Sequence, residues 1–282
     1  RSGYSDYDIE NIGGSISFGR RFKWPDYYTG GSWSIGIRSS KYFGDIDDLD
    51  DNFPDNLIHG ENGNYYAKRR GVKLTQTISR TNIDNAEFTT IGSKLVWTSI
   101  FSGGFLGGNE NYHKHVLNFK WYTPFTNKIV FYQNYTFGGI KALVKDEYIS
   151  SRTRFALGGT GVPYGEMLRG YTDGDLGPRI GLYSHGGNIL FKYSSELRFL
   201  LSSSPTVYFI LFADAGGIWS DFDDVDIFSL KRSAGFGVRI NMPMLGMIGY
   251  DIGYGFDKYD DYEFFPDPPR WEQHLIFGVP LN

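Results

Sequence analysis

The chain has 282 residues with a formal net charge of −4 and no cysteine, which leaves no basic footprint for nucleic acid and no disulfide or cysteine–zinc framework. An aromatic share of 18% with 37 glycines is high for a soluble globular protein and fits an all-β barrel. Mean hydropathy of −0.34 excludes a helical membrane protein but not one that crosses with strands, whose alternating faces average near neutral.

In chain order, residues 1–11 carry neither the basic region nor the apolar core of a signal peptide, so any leader is expected to lie upstream or to be already removed. No stretch approaches the roughly 18 consecutive apolar residues of a membrane helix. The longest clean run, Val207 to Ala213, is strand-sized. Strands are predicted over 12–22, 30–43, 66–81, 89–101, 111–122, 128–143, 187–201, 206–219, 230–242, 246–257 and 272–281. Trp33, Ile35 and Ile37 alternate with Ser34, Gly36 and Arg38, and Val72, Leu74 and Ile78 oppose Lys73, Thr75, Thr77 and Ser79. Ile189, Phe191, Tyr193, Leu197 and Phe199 oppose Lys192, Ser194, Glu196 and Arg198. Over 230–242, Leu230, Ala234, Phe236, Val238, Ile240 and Met242 share a face, interrupted only by Arg232. Ile248, Tyr250, Ile252, Tyr254 and Phe256 then alternate with Gly249, Asp251, Gly253, Gly255 and Asp257.

Alternation alone also suits a soluble sandwich. Many of these segments, however, reach the ~9–11 residues of a tilted membrane strand, against ~5–6 for a soluble one. Trp24, Tyr122 and Trp219 stand near strand ends, where an interfacial aromatic girdle is expected. Short links at 23–28, 82–88, 123–127, 202–205 and 242–246 alternate with long ones at 44–64, 102–111, 144–186, 220–229 and 258–271. Outer-membrane barrels have short periplasmic turns and long outer loops, which orients the chain. The pattern therefore predicts an all-β, transmembrane antiparallel β-barrel with about eleven strands in this chain. Single-chain bacterial barrels have even strand numbers, and an open edge cannot face lipid, so 1–282 reads as a partial barrel lacking its first strands.

The connection 144–186 contains Leu168-Arg169-Gly170-Tyr171, and strand 206–219 contains Phe212-Ala213-Asp214-Ala215-Gly216-Gly217-Ile218-Trp219. Ser195-Glu196-Leu197-Arg198-Phe199 precedes that strand; Ser233-Ala234-Gly235-Phe236-Gly237 and Met242-Pro243-Met244-Leu245-Gly246 follow it. With these four ordered features the chain resembles the BamA superfamily, the outer-membrane insertases and their two-partner-secretion relatives. The likeness covers about 144–282; upstream only the strand and loop rhythm agrees. It implies a BamA-type barrel of about sixteen strands, of which this chain holds the last eleven, and periplasmic repeat domains upstream of it. It also implies that 144–186 folds back into the lumen as a long internal loop.

A guanidinium inside a barrel is costly unless paired, so Arg169 is expected to meet carboxylates on the lumen wall. Asp214 lies on the face opposite Phe209, Leu211 and Ala213, Glu196 lies on the polar face of the preceding strand, and the two suit a charge-assisted fork. Gly170 permits a tight approach, Tyr171 packs beside it, and Gly216 and Gly217 leave room on the strand. Leu275, Phe277, Gly278 and Pro280 belong to the last strand, where Pro280 shortens the hydrogen-bond ladder and makes one side of a lateral seam. The terminal aromatic residue usual in the family is absent.

The resemblance implies unfolded outer-membrane β-barrel proteins as clients, outer-membrane lipid and lipopolysaccharide as surroundings, and periplasmic or lipoprotein accessory subunits as partners. A two-partner-secretion pore and a passive porin are the alternative readings. No short motif sets a nucleophile beside a base, so neither catalytic residues nor a cofactor is expected. His113 and His115 share a strand face without an evident third ligand, and the five histidines read as loop-edge residues rather than a metal site. The acidic run Asp45 to Asp51 lacks the spacing of a calcium loop and reads as solvated. Gly158-Gly159-Thr160-Gly161 lacks the strand–loop–helix setting of a phosphate loop and reads as the approach to Arg169.

Overall fold

The computed structural model describes residues 8–43, 57–59, 65–144, 149–150, 153–161, 165–180, 183–242, 246–258 and 269–278. Its strands are β1 (Asp8–Arg21), β2 (Thr29–Phe43), β3 (Leu57–His59), β4 (Tyr65–Ile83), β5 (Gly92–Ser102), β6 (Tyr112–Thr126) and β7 (Ile129–Ala142). There follow β8 (Arg179–Ile180), β9 (Tyr183–Ser184), β10 (Ile189–Ser203), β11 (Thr206–Trp219), β12 (Lys231–Met242), β13 (Gly246–Gly255) and β14 (Trp271–Gly278). Among the described residues the long strands pair in the order β1-β2-β4-β5-β6-β7-β10-β11-β12-β13-β14, an up-and-down meander, with β3 beside β4 and β8 with β9 apart. No described helix is long and apolar enough to cross a membrane, which says nothing of strands.

All eleven long strands coincide with predicted segments to within a few residues. The short β3, β8 and β9 were not anticipated, because each is a two- or three-residue pairing inside a long connection. The link expected at 123–127 is tighter than its sequence suggests, since β6 continues to Thr126 before the turn into β7. The acidic run 45–51 and Pro280 lie outside the described residues.

Two compact units divide the chain. One takes Arg1–Ser79, Trp97–Val116 and Gly139–Arg154; the other takes Arg80–Val96, Leu117–Gly138 and Phe155–Asn282. In the first unit β1 and β2 pair over their whole length, and Asn109 ties its loop to β4 by accepting from the Arg70 amide at 2.6 Å. His115 Nδ1 and Ser99 Oγ are 2.9 Å apart, while Phe101 meets the His115 ring edge-on. His113 and His115 are thus half-buried members of a ring cluster, not the exposed loop-edge residues expected from sequence. Among the described residues no group of three or more His, Asp or Glu is set to hold a metal.

In the second unit the period-2 faces are realised. Phe236, Val238 and Tyr250 look outward, while Ser233, Arg239 and Asp251 are buried on the opposite face. The inner face of β11 is apolar in its first half, where Tyr208, Ile210 and Phe212 pack with Val130 and with Phe88 from the β4–β5 turn. That explains why Val207 to Ala213 is apolar without alternation: both of its faces are covered or lipid-ready. The turn holds its shape because Asp84 accepts from the Thr90 amide at 2.9 Å and Asn85 from the Glu87 amide at 2.7 Å, the local side-chain bonding that favours turns. Thr206 Oγ1 donates to Glu87 at 2.7 Å and fastens the turn to β11.

Two of the three girdle expectations fail. Trp24 is exposed, but Tyr122 packs against Tyr132 beneath Arg198, and the outward position on that strand belongs to Trp121. Trp219 is buried, with its ring over Gly217. Residue type near a strand end does not fix which face it takes, and the neighbouring loop decides.

Candidate functional site: a buried charge cluster around Arg169

The loop between β7 and β10 is built by its own backbone before it meets the wall. Leu157 bridges Glu166 and Leu176, and Gly159 bridges Leu168. The glycine-rich turn 158–161 presents its amides inward, and Asp173 fills them by accepting from Thr160 N at 2.5 Å and Gly161 N at 3.2 Å. An oxyanion from the same loop therefore occupies the nest that a phosphate would otherwise suit. Leu157, Leu168 and Leu176 are buried at the centre of this fold.

Arg169 projects from it and is fully buried. Its Nε and Nη2 donate to the two oxygens of Asp214 on β11, each at 2.7 Å, and its Nη1 donates to Glu196 on β10 at 2.7 Å. Asp251 on β13 stands 3.6 Å from Nη1. The guanidinium lies flat on the Phe212 ring, 3.7 Å from its centroid, a cation–π contact that covers its remaining face. Burial alone would lower the guanidinium's pKa; the Asp214 and Glu196 carboxylates outweigh it and raise it above its ordinary value.

Two further arginines complete the charge balance. Arg198 donates to the other Glu196 oxygen at 2.8 Å and stacks on Tyr132 at 3.9 Å. Arg239 donates to both oxygens of Asp251, at 2.5 and 2.7 Å. Arg169, Arg198 and Arg239 thus face Glu196, Asp214 and Asp251, three cations against three anions. An array of this kind is stable only as a complete set, since removing one member leaves its partner charged and desolvated.

Gly170 follows in the left-handed region at φ +82, which only glycine takes without strain. Its seat is bare wall. A Cβ at Gly253 would lie 2.7 Å from the Gly170 nitrogen, and one at Gly255 would lie 2.5 Å from its oxygen. The Gly170 amide donates to His274 Nε2 on β14 at 2.9 Å. Tyr171 is buried; its hydroxyl donates to the Arg232 carbonyl at 2.7 Å and accepts from the Asp257 amide at 3.2 Å. Burial pushes the phenol up to about 12, partly offset by the Asp257 amide, so it stays a donor at any ordinary pH. At the exposed end of β12, Arg232 grips Asp257, just past β13, through Nε at 3.0 Å and Nη2 at 2.7 Å.

The residues singled out from sequence are thus partly assembled. Leu168, Arg169, Gly170 and Tyr171 meet the wall, and Asp214 and Glu196 meet Arg169. Gly216 faces the loop, where a Cβ would lie 3.2 Å from Leu157 and 3.3 Å from Leu168. Gly217 does not: its open side is covered by Trp219 and Leu230, because successive strand residues take opposite faces. Leu275 and Phe277 point outward and exposed, and Gly278 ends β14. Asp251, Arg239, His274, Gly253 and Gly255 were missed. His274 is buried, against the loop-edge reading given to the histidines. A carboxylate flanked by Gly249 and Gly253 on the polar face of 246–257 was the available signal for Asp251.

The fold compares well with known proteins. The outer membrane protein assembly factor BamA of Nitratidesulfovibrio vulgaris (strain Hildenborough) is 26% identical over 271 residues, covering 93% of this chain and 31% of the relative. The crystal structure of BamA from Haemophilus ducreyi lacking POTRA domains 1–3 matches in fold with a TM-score of 0.74 at 18% identity, over 96% of this chain and 54% of that one. The chain thus spans about a third of the curated relative and about half of the solved one. The Omp85 superfamily domain matches residues 1–279, and with the buried loop arginine and the antiparallel meander on the page, the chain belongs to the Omp85 superfamily.

Proposed function

We propose that this chain forms membrane-barrel strands of an outer-membrane protein assembly factor, which inserts and folds β-barrel proteins by way of a lateral seam. The observation that carries the reading is the neutralised Arg169 cluster, which anchors an internal loop on the wall of an Omp85 domain. The role follows from physics: a loop fixed inside the barrel stiffens the wall it rests on, while β14, paired among the described strands on one side only, offers its edge to an incoming strand. On this reading Leu275, Phe277 and Gly278 line that seam. Unfolded barrel proteins are its clients, with accessory subunits and outer-membrane lipid around it. Arg169, Asp214 and Glu196 are structural groups, and no covalent chemistry is assigned to them.

Support over a passive porin comes from the apolar packing of Phe88 with Tyr208, Ile210 and Phe212, which fills inner-face space that a water channel keeps polar and open. The test is reconstitution of the full-length protein into liposomes with an unfolded barrel protein as client. Faster folding of the client than in empty liposomes is expected, with little steady ion conductance. Steady conductance without any gain in client folding would overturn the proposal in favour of a pore.

A further inference from the structure

Among the described strands β14 pairs only with β13, from Met247↔Gly278 to Tyr254↔Trp271, and so ends the sheet. Its outward side chains Trp271, Leu275 and Phe277 are exposed, whereas His274 is buried on the inner face. There His274 Nε2 accepts the Gly170 amide at 2.9 Å. Two residues along the same face, Glu272 accepts from Thr172 Oγ1 at 3.4 Å and from Lys258 Nζ at 2.8 Å. Two alternate positions of the loop tip, Gly170 and Thr172, therefore rest on two neighbouring inward positions of β14.

The neighbouring residue makes this contact consequential. Arg169 is fixed on β10 and β11 by three 2.7 Å bonds, so Gly170 has little freedom to move. Its amide crosses the bare glycine rungs of β13 to reach β14, and a buried amide must find an acceptor. If β14 moves outward, that buried amide loses the acceptor it has in the folded sheet. The ring must also be neutral with its proton on Nδ1, since Nε2 accepts.

We propose that His274 is a positioning residue which, with Glu272, latches β14 to the internal loop, so that displacing β14 from β13 requires the loop tip to let go. The inference rests on the seam reading of β14 and adds to it a named connection between the seam and the loop.

The chain contains no cysteine, which makes a paired substitution clean. In the full-length protein reconstituted in liposomes, the double substitution Thr172→Cys and Glu272→Cys is expected to form a disulfide under mild oxidation in the folded, heat-modifiable form. Adding His274→Leu should lower the rate of disulfide formation about fivefold, the worth of one neutral hydrogen bond, while His274→Gln, which keeps an acceptor, should not. No disulfide in the folded protein, or equal rates in the Leu and Gln variants, would overturn the latch. Client folding by the oxidised pair should fall below that of the same pair under reduction; equal activity in the two states would overturn the coupling. Because disulfide formation needs no client, it reads the latch even if the reduced protein assembles nothing, an outcome that would instead count against the proposed function.

Discussion

Arg169 and Asp214 meet side-on, Nε to Oδ2 and Nη2 to Oδ1, with both bonds at 2.7 Å. The third nitrogen, Nη1, is thereby aimed at Glu196 and cannot rotate away without breaking the fork. This planar geometry is specific to a guanidinium; an ammonium supplies the charge but not three donors in fixed directions. It also ties a loop residue to one 45 positions later in the chain.

Arg169→Ala leaves Asp214 and Glu196 buried with one cation too few, and a loss of about 3–5 kcal/mol is expected. The urea midpoint of the folded, heat-modifiable form measures it. Arg169→Lys should fall between wild type and Ala. An unchanged midpoint for Arg169→Ala would show that the cluster does not hold the loop.

Gly253→Ala places a methyl 2.7 Å from the Gly170 nitrogen and 3.0 Å from its Cα, against backbone that cannot yield. Overpacking of this kind costs about 1–3 kcal/mol. Faster protease cleavage in the 165–180 loop is the expected readout. Gly14→Ala, where a Cβ meets nothing within 4 Å, serves as the neutral control.

Tyr171→Phe removes a hydroxyl that both donates and accepts; the Arg232 carbonyl keeps the Phe256 amide, while the Asp257 amide loses its acceptor. About 1–2 kcal/mol of stability should be lost. Amide exchange at Asp257 should accelerate alongside it; a protected amide in the variant would refute the assignment.

The Arg232 hydrogen bonds hold the Asp257 carboxyl below its ordinary value, outweighing the opposing effect of burial. A carboxylate depressed in the folded state stabilises it fully above the unfolded value of about 3.9, and that stabilisation is lost as pH falls through the lower folded value. Stability should therefore be insensitive to Asp257 from neutrality down to about pH 5 and decline below about pH 4. Asp257→Asn should flatten part of that acid decline, and an identical profile would exclude the pair as a contributor.

Much of this was legible in the residues, and the reasons are physical. A sheet with one greasy and one polar face writes itself as period two, so β12 and β13 could be read down to the side of each residue. Arg169, Asp214 and Glu196 stood out because the segments that carry them resemble those of the BamA superfamily, and a charged loop residue inside a barrel needs partners on the wall. His274 did not, since a single imidazole on a short last strand looks the same whether it meets water or an amide. Gly253 and Gly255 were visible as small residues, but only the seated loop shows what their smallness admits. Gly217 and Tyr122 were misread because neighbours on a strand differ by half a turn, and composition near a strand end does not reveal which half faces inward.

The chain order of these contacts has a consequence for biogenesis. Gly170 precedes the histidine that receives its amide by 104 residues, and every strand that lodges the loop tip is made after the tip itself. Arg169 must remain hydrated until Asp214 arrives, and the nook around Gly170 is finished only when the final strand zips on. A polypeptide cut short before β14 could pair its guanidinium yet would leave the adjoining N–H without its histidine acceptor.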